Sequence, residues 1–248
     1  MRYFYVKKLT PEVKAVQIGG SDAHHICKVL RLQRGDRIRL LDGRGRIYEA
    51  VIEGFSARHV QLAVQHHFPS PAESPIQISV GQGFLKEKKM DGLVRQLSEL
   101  GVNSWFPVFS EYAVARPDSE RLSARHQRWE KIAAESLKQC RRGQLLKIRS
   151  AVTFSEAVRD SEAFKLKVIF WEQATRKLNP ESLTTLKPGD GILALLGPEG
   201  GFSPSEAQLA ERCGFVPLSL GPRVLRAETA TITALALLQF VFGDIGKK

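Results

Sequence analysis

Cysteine is scarce in this chain: Cys27, Cys140 and Cys213 are the only three among 248 residues. They lie far apart and form no Cys-x-x-Cys pair, which argues against a zinc site and against a disulfide framework. The expected setting is reducing, and therefore cytoplasmic. No apolar run approaches the roughly 18 residues of a membrane span, and the N-terminus carries no hydrophobic core of signal-peptide length. No membrane partner is expected. Histidine is also sparse, with four of the six in the pairs His24-His25 and His66-His67. Adjacent histidines on a strand face opposite ways, and no carboxylate or cysteine completes a ligand set, so no metal is expected. A complete Gly-x-Gly-x-x-Gly is missing as well. Val80-Gly81-Gln82-Gly83-Phe84 follows a strand but continues with Leu85 and Lys86. A Rossmann-type cofactor loop is therefore a weak alternative.

Acidic residues are outnumbered, 26 against 37 Lys+Arg, for a net charge of +11. The excess is uneven. Residues 1–72 carry +6, residues 73–150 carry +5, and residues 151–248 are neutral. A basic half that grips phosphates and a neutral half that holds a small molecule would look like this. A uniformly basic surface with no such purpose is the plainer alternative.

The chain divides at Phe68-Pro69-Ser70-Pro71-Ala72-Glu73-Ser74-Pro75, a linker by composition. Upstream, the short runs Phe4–Val6, Arg37–Leu41, Ile47–Ile52 and Val60–Val64 are separated by glycine-bearing turns, which predicts a small β-barrel over residues 1–70. One helix is expected to start near Ser21 or Asp22. Downstream, from residue 76 to 248, strands and helices alternate. Strands are expected at Ile76–Val80, Trp105–Phe109 and Val168–Trp171. Helices are expected at Lys86–Leu100, at Leu122–Cys140 and from the capping box Thr153-Phe154-Ser155-Glu156. Such alternation predicts an α/β domain with a mostly parallel sheet.

Two loops carry the strongest signal. Gly191–Leu196 is an apolar run suited to a strand buried on both faces. It ends at Gly197-Pro198-Glu199-Gly200-Gly201-Phe202, and Ser203-Pro204-Ser205-Glu206 then opens a helix with Ser203 as N-cap, Pro204 at the first position and Glu206 closing a capping box. Gly214 suits its C-terminal end. Phe215–Leu220 reads as another strand, interrupted by Pro217. Gly221-Pro222-Arg223-Val224-Leu225-Arg226-Ala227-Glu228-Thr229-Ala230 leads from it into a helix that ends near Phe242. That helix is apolar on nearly all sides and is expected to be buried. Glycine loops at the carboxyl ends of parallel strands build ligand sites. The plain alternative is a pair of tight turns, with Arg226 and Glu228 forming only a structural ion pair.

Gly-Pro-Glu-Gly-Gly-Phe-Ser and Leu-Gly-x-x-x-Leu-Arg-x-Glu-Thr-Ala together resemble the SPOUT superfamily of S-adenosylmethionine-dependent RNA methyltransferases. Within it the chain resembles the family that methylates N3 of a uridine in small-subunit (16S) ribosomal RNA. His24–Leu32 with Gly35-Asp36 and Asp42–Gly45 resembles that family's N-terminal domain. Lys89-Met90-Asp91, Glu99–Val102, Ser110-Glu111 and Arg128–Ala133 match its middle. Three positions depart from the pattern: Tyr112 and Lys138 replace an arginine and a glutamate, and Arg95-Gln96 stands for a Gln-Lys pair.

The resemblance implies an RNA-binding PUA-like β-barrel followed by a SPOUT-type α/β domain with a C-terminal trefoil knot. It implies S-adenosylmethionine as cofactor with no metal, and ribosomal RNA or the small ribosomal subunit as partner. It also implies a homodimer, for which the apolar C-terminal helix offers surface. Leu196, Gly197, Gly200, Gly201, Leu220, Gly221, Leu225, Ala227 and Thr229 are the expected cofactor-binding residues. Arg2, Lys28, Arg31, Arg34 and Arg37 are the expected RNA contacts. Uridine N3 is a poor nucleophile until it loses its proton, so the reaction calls for a cation and a proton acceptor. Arg226 is the candidate cation, and Glu228 or Glu199 the acceptor or the group that orients Arg226. The alternatives are a non-catalytic RNA-binding protein and a methyltransferase that acts on another nucleotide.

Overall fold

The structure, a computed structural model, describes residues 2–86, 89–114, 116–179, 183 and 185–246. The chain forms two compact units. One comprises residues 1–73 and 134–145, the other residues 74–133 and 146–248.

In the first unit, strands β1 (Tyr3–Tyr5), β2 (Ala15–Gly19), β3 (Arg37–Leu41), β4 (Arg46–Phe55) and β5 (His59–Pro69) form a five-stranded sheet in the order β1-β3-β4-β5-β2. The pair β1–β3 is parallel and the remaining pairs are antiparallel. The sequence reading missed β2, of whose five residues only Ile18 is buried, so it shows little apolar alternation. Helix α1 (Gly20–His24) starts where expected and runs into one π-helical segment, His25–Val29. Strand alternation sorts the side chains. Ile38 and Leu40 enter a core with Ile26, Tyr48, Ile52, Val60 and Leu62, while Arg37 and Arg39 face away.

The Pro-rich linker is not a loose tether. Glu73 accepts the Arg142 Nε and Nη2 protons at 3.2 and 3.0 Å and the backbone N–H groups of Gly143 and Gln144 at 2.7 and 2.9 Å. The Arg142 side chain is 3% exposed. A guanidinium this deep requires a carboxylate that is itself well hydrogen-bonded, and Glu73 supplies it.

In the second unit, β6 (Gln77–Gly83), β7 (Ser104–Phe109), β8 (Lys147–Ile148), β10 (Leu166–Phe170), β11 (Gly191–Leu196) and β12 (Val216–Leu218) lie in the order β12-β10-β11-β6-β7-β8, and β9 (Val152–Thr153) pairs with β7. Every pairing in this sheet is parallel. The inner strands read as continuous apolar runs because they are buried on both faces. Pro217 falls in β12, which among the described residues pairs with β10 alone, as an edge strand permits. The two-residue strands β8 and β9 were not read from the sequence, being too short to show a period.

The helices are α2 (Lys89–Glu99), α3 (Ser119–Cys140), α4 (Phe154–Arg159), α5 (Pro204–Arg212) and α6 (Ala227–Val241). Positions 87 and 88 of the expected Lys86–Leu100 helix lie outside the described residues. Both predicted capping boxes form, at Thr153 with Glu156 and at Ser203 with Glu206. One expectation fails for α6. It is buried on the side carrying Ala234, Leu235 and Leu238, but Leu237 and Phe240 are exposed, Phe240 by 58%. The Rossmann-type alternative fails too, because β6 continues through Gly81-Gln82-Gly83. A Cβ at Gly81 would lie 2.6 Å from a Leu195 methyl, and one at Gly83 would lie 2.5 Å from Pro198. These glycines admit the neighbouring strand and loop rather than a phosphate.

Candidate active site

Strands β12, β10 and β11 are sheet neighbours, so the loops at their carboxyl ends meet. Between them lies a cavity of about 390 Å³, within the roughly 300–1,000 Å³ usual for small-molecule sites. Its walls are Phe170-Trp171-Glu172 after β10, Gly197–Gly201 after β11, and Leu218–Leu225 after β12, closed by Ala227 and Ala230 of α6.

The wall after β11 is held tightly. Gln82 is fully buried beneath it and donates its amide to the Gly197 carbonyl at 3.0 Å, while its own oxygen accepts the Thr231 hydroxyl proton from α6 at 2.7 Å. The Trp171 indole N–H donates to the Phe202 carbonyl at 3.0 Å. Gly201 has φ +73, and a Cβ there would meet the Glu172 carboxylate at 2.8 Å. A Cβ at Gly200 would lie 2.9 Å from Tyr112 Cβ. The segment that carries Tyr112 is anchored by Glu206, whose carboxylate accepts the Glu111 N–H at 2.9 Å. The glycines therefore serve close approach of backbone on one side and leave the cavity open on the other.

Of the expected cofactor residues, Gly197, Gly200, Gly201, Leu220, Gly221, Leu225 and Ala227 line this cavity. Leu196 is the buried last residue of β11 and Thr229 is exposed on α6, and neither is in the lining. Glu199 lines it as well. Arg226 is the N-cap residue of α6, exposed, and makes no side-chain capping bond. Glu228 follows in the first turn of α6. The structural ion pair of Arg226 with Glu228, the plain alternative, does not form; both Glu228 and Glu199 are paired with Lys89 instead, at 3.3 and 3.2 Å. Burial works against the charge of Glu199, but the Lys86 N–H, its own N–H and the Lys89 ammonium outweigh burial and hold its carboxyl below the usual range.

Arg2, Lys28, Arg31, Arg34 and Arg37 are all exposed on the first unit. Lys138 is engaged by carboxylates of its own chain. It is 18% exposed and bound to Asp22 and Glu135 at 3.2 and 2.8 Å. Arg95 is exposed on α2, and Tyr112 is 45% exposed beside Gly200.

Sequence reading missed Glu172, Gln82 and Lys89. Glu172 lies beyond a strand end in a stretch without a motif. Lys89 did leave a signal, since a lysine at the start of a helix opposes the helix dipole and calls for an acidic partner.

The fold finds close counterparts. The model of a family described as RNA methyltransferase domain matches residues 72–239. The chain belongs to this RNA methyltransferase family. Residues 18–65 match a second model, described as RNA methyltransferase PUA domain. The enzyme is 30% identical over 97% of its length to the ribosomal RNA small subunit methyltransferase E of Buchnera aphidicola (from Schizaphis graminum), of which it covers 96%. It is 27% identical to the protein of that name from Bacillus subtilis, with 96% of each covered. The crystal structure of the Neisseria gonorrhoeae ribosomal RNA small subunit methyltransferase E bound to S-adenosyl methionine superposes with a TM-score of 0.88, at 28% identity, over 98% of this chain and 99% of that one. A Legionella pneumophila structure with bound SAM superposes at 0.86, with 30% identity and 98% of each chain covered.

Proposed function

We propose that the enzyme transfers a methyl group from S-adenosylmethionine to N3 of a uridine in small-subunit ribosomal RNA. The observation that carries this reading is the glycine-walled cavity at the carboxyl ends of β10, β11 and β12, in a chain whose full-length relatives are named for that RNA and solved with that cofactor.

The cavity fits the cofactor. Backbone of the Gly197–Gly201 and Leu218–Leu225 loops faces it, and the Glu172 carboxylate offers acceptors to hydroxyl or amino groups. Leu196 and Thr229 do not line the cavity but lie next in sequence to residues that do. When bound, the cofactor supplies an activated methyl, so no metal is required. The protein's task is to align the methyl with N3 and to remove the N3 proton. Arg226 is the cation that stabilises the uracil as its N3 proton leaves. Glu199 is bound to Lys86 and Lys89 and braces the loop. Glu228 receives the proton and releases it to water. The uridine must leave its stack to reach the cavity.

Arg2, Lys28, Arg31, Arg34 and Arg37 of the PUA-like domain (residues 1–70) hold the RNA, and residues 76–248 hold the cofactor. We place the enzyme in the cytoplasm, with its three free thiols, and as a homodimer that covers Leu237 and Phe240 of α6. Light scattering at micromolar concentration should then give twice 27.7 kDa. The C-terminal segment is read as the threaded end of a trefoil knot, supported by α6 packing on α2 and β11 rather than beside β12 alone.

The deciding experiment is methyl transfer from labelled cofactor to ribosomal RNA with mass-spectrometric identification of the product. N3-methyluridine is expected, and methylation at another atom would end this assignment. For the basic cluster, each neutralised side chain among Lys28, Arg31, Arg34 and Arg37 should lower the salt slope of RNA binding by about one. Cofactor affinity should not change. An unaltered slope in the fourfold alanine variant would remove this surface from the RNA interface.

A further inference from the structure

Lys89 does not line the cavity, but it touches two of the acidic residues invoked above. Its ammonium lies 3.2 Å from Glu199 Oε1 and 3.3 Å from Glu228 Oε2. The three residues come from three parts of the chain: the start of α2, the loop after β11 and the first turn of α6. Glu199 also accepts the Lys86 N–H at 3.1 Å, so this wall of the cavity is tied twice to the segment that follows β6. Glu228 Oε2 is buried and takes no hydrogen bond among the described residues, which leaves Lys89 as its compensating charge.

We propose that Lys89 is a positioning residue. It fastens the Glu199 loop and the α6 terminus to one point, and it sets a positive charge against Glu228, the acceptor of the N3 proton. The proposal rests on the reading of Glu228 given above.

Electrostatics favours this role. The hydrogen bond to Glu199 raises the Lys89 pKa above its usual value against desolvation, and Glu228 adds to the rise, so the ammonium stays charged throughout the neutral range. Among the described residues, neither carboxylate has another cation in ion-pair contact. Asp91, also on α2, is taken by Arg128 at 2.7 Å and by the Trp129 indole N–H at 3.0 Å, so it does not compete for Lys89. Arg226 precedes Glu228 by two residues but is exposed. Without Lys89, two carboxylates would share the space around one absent charge. Like charges so placed raise the pKa of one of them.

The test uses the full chain with Lys89→Met and Lys89→Arg. Cofactor affinity is read by calorimetry, and single-turnover methyl transfer is followed from about pH 5 to 9. The Met variant should bind the cofactor about tenfold more weakly. The acid limb of its rate profile should move up by about one pH unit, because a carboxylate that loses its cation protonates more readily. The Arg variant should keep the wild-type limb. A Met variant slowed by the same factor at every pH would overturn the electrostatic role, and one with unchanged affinity would overturn the fastening role. A double-mutant cycle of Lys89→Met with Glu199→Gln on cofactor affinity separates this proposal from the functional one. If the wild-type chain binds the cofactor but does not methylate N3, the functional reading fails while the cycle still decides whether the residues are coupled. Coupled losses are expected, and strictly additive ones would overturn the fastening.

Discussion

Gly200→Val should weaken cofactor binding strongly while leaving the fold intact. The structure gives the reason a sharper form than a general need for backbone access. A Cβ at this position would sit 2.9 Å from Tyr112 Cβ and 3.3 Å from the Tyr112 carbonyl oxygen. Backbone lies on the crowded side, so no rotamer relieves the clash. The Tyr112 segment is itself held by Glu206, so the loop must move instead, and that loop is a wall of the cavity. Forcing methyl groups into a tight site costs about 1–3 kcal/mol. Borne by the loop alone, that is roughly a 5- to 150-fold loss of affinity. Gly221→Ala is the contrast. No atom lies within 4 Å of its Cβ, but φ is +116, so the cost there is backbone strain alone. Calorimetry with S-adenosylmethionine and circular dichroism read the two effects. Undiminished affinity in Gly200→Val would reduce this loop to a turn. A second variant sharpens the assignment: Tyr112→Gly, which removes the clashing Cβ, should restore part of the affinity lost in Gly200→Ala.

Arg226→Ala should lower kcat by about 10²–10³ with little change in cofactor affinity, the loss typical of removing one preorganised donor from a developing anion. Three features separate this effect from a structural one. Arg226 is exposed, its side chain makes no capping hydrogen bond to α6, and neither acidic neighbour pairs with it, since Glu199 and Glu228 face Lys89. Stability should therefore hold. Arg226→Lys should fall between wild type and alanine, because a point charge replaces a planar fork. Single-turnover rates at saturating RNA and cofactor are the measurement. A loss confined to cofactor affinity would make Arg226 a cofactor ligand and leave the anion without its cation.

The functional loops were legible because their signals are local. Ser203, Pro204 and Glu206 specify a helix start within four residues, and the observed capping box follows from that spacing. Gly214 takes φ +82 where a helix had to end. The apolar run Gly191–Leu196 became the strand expected of it. Failures came where a residue's meaning depends on a distant partner. Gly81 and Gly83 look like a loop in sequence but lie within a strand, because Leu195 and Pro198 pack over them. Lys138, a departure from the family pattern, turned out to answer Asp22 and Glu135. Helix α6 looked wholly buried from composition, yet its neighbours cover only one side.

The sequence by itself determined the alternation of strands and helices, the caps, the glycine loops and the division of charge between the two parts of the chain. Each follows from backbone preference or side-chain period over a few residues. Only the tertiary structure decided how the charges pair at the site. Arg226 and Glu228 are two residues apart, and sequence proximity suggested an ion pair. On a helix start, positions two apart point in different directions, and the Glu228 carboxylate meets Lys89 instead, 139 positions earlier in the chain. The same holds for Glu172, which lines the cavity, and for Gln82 and Tyr112, which touch the loop after β11, because a parallel sheet brings the ends of non-consecutive strands together. Which loops meet depends on the strand order, and that order is a property of the whole packed sheet.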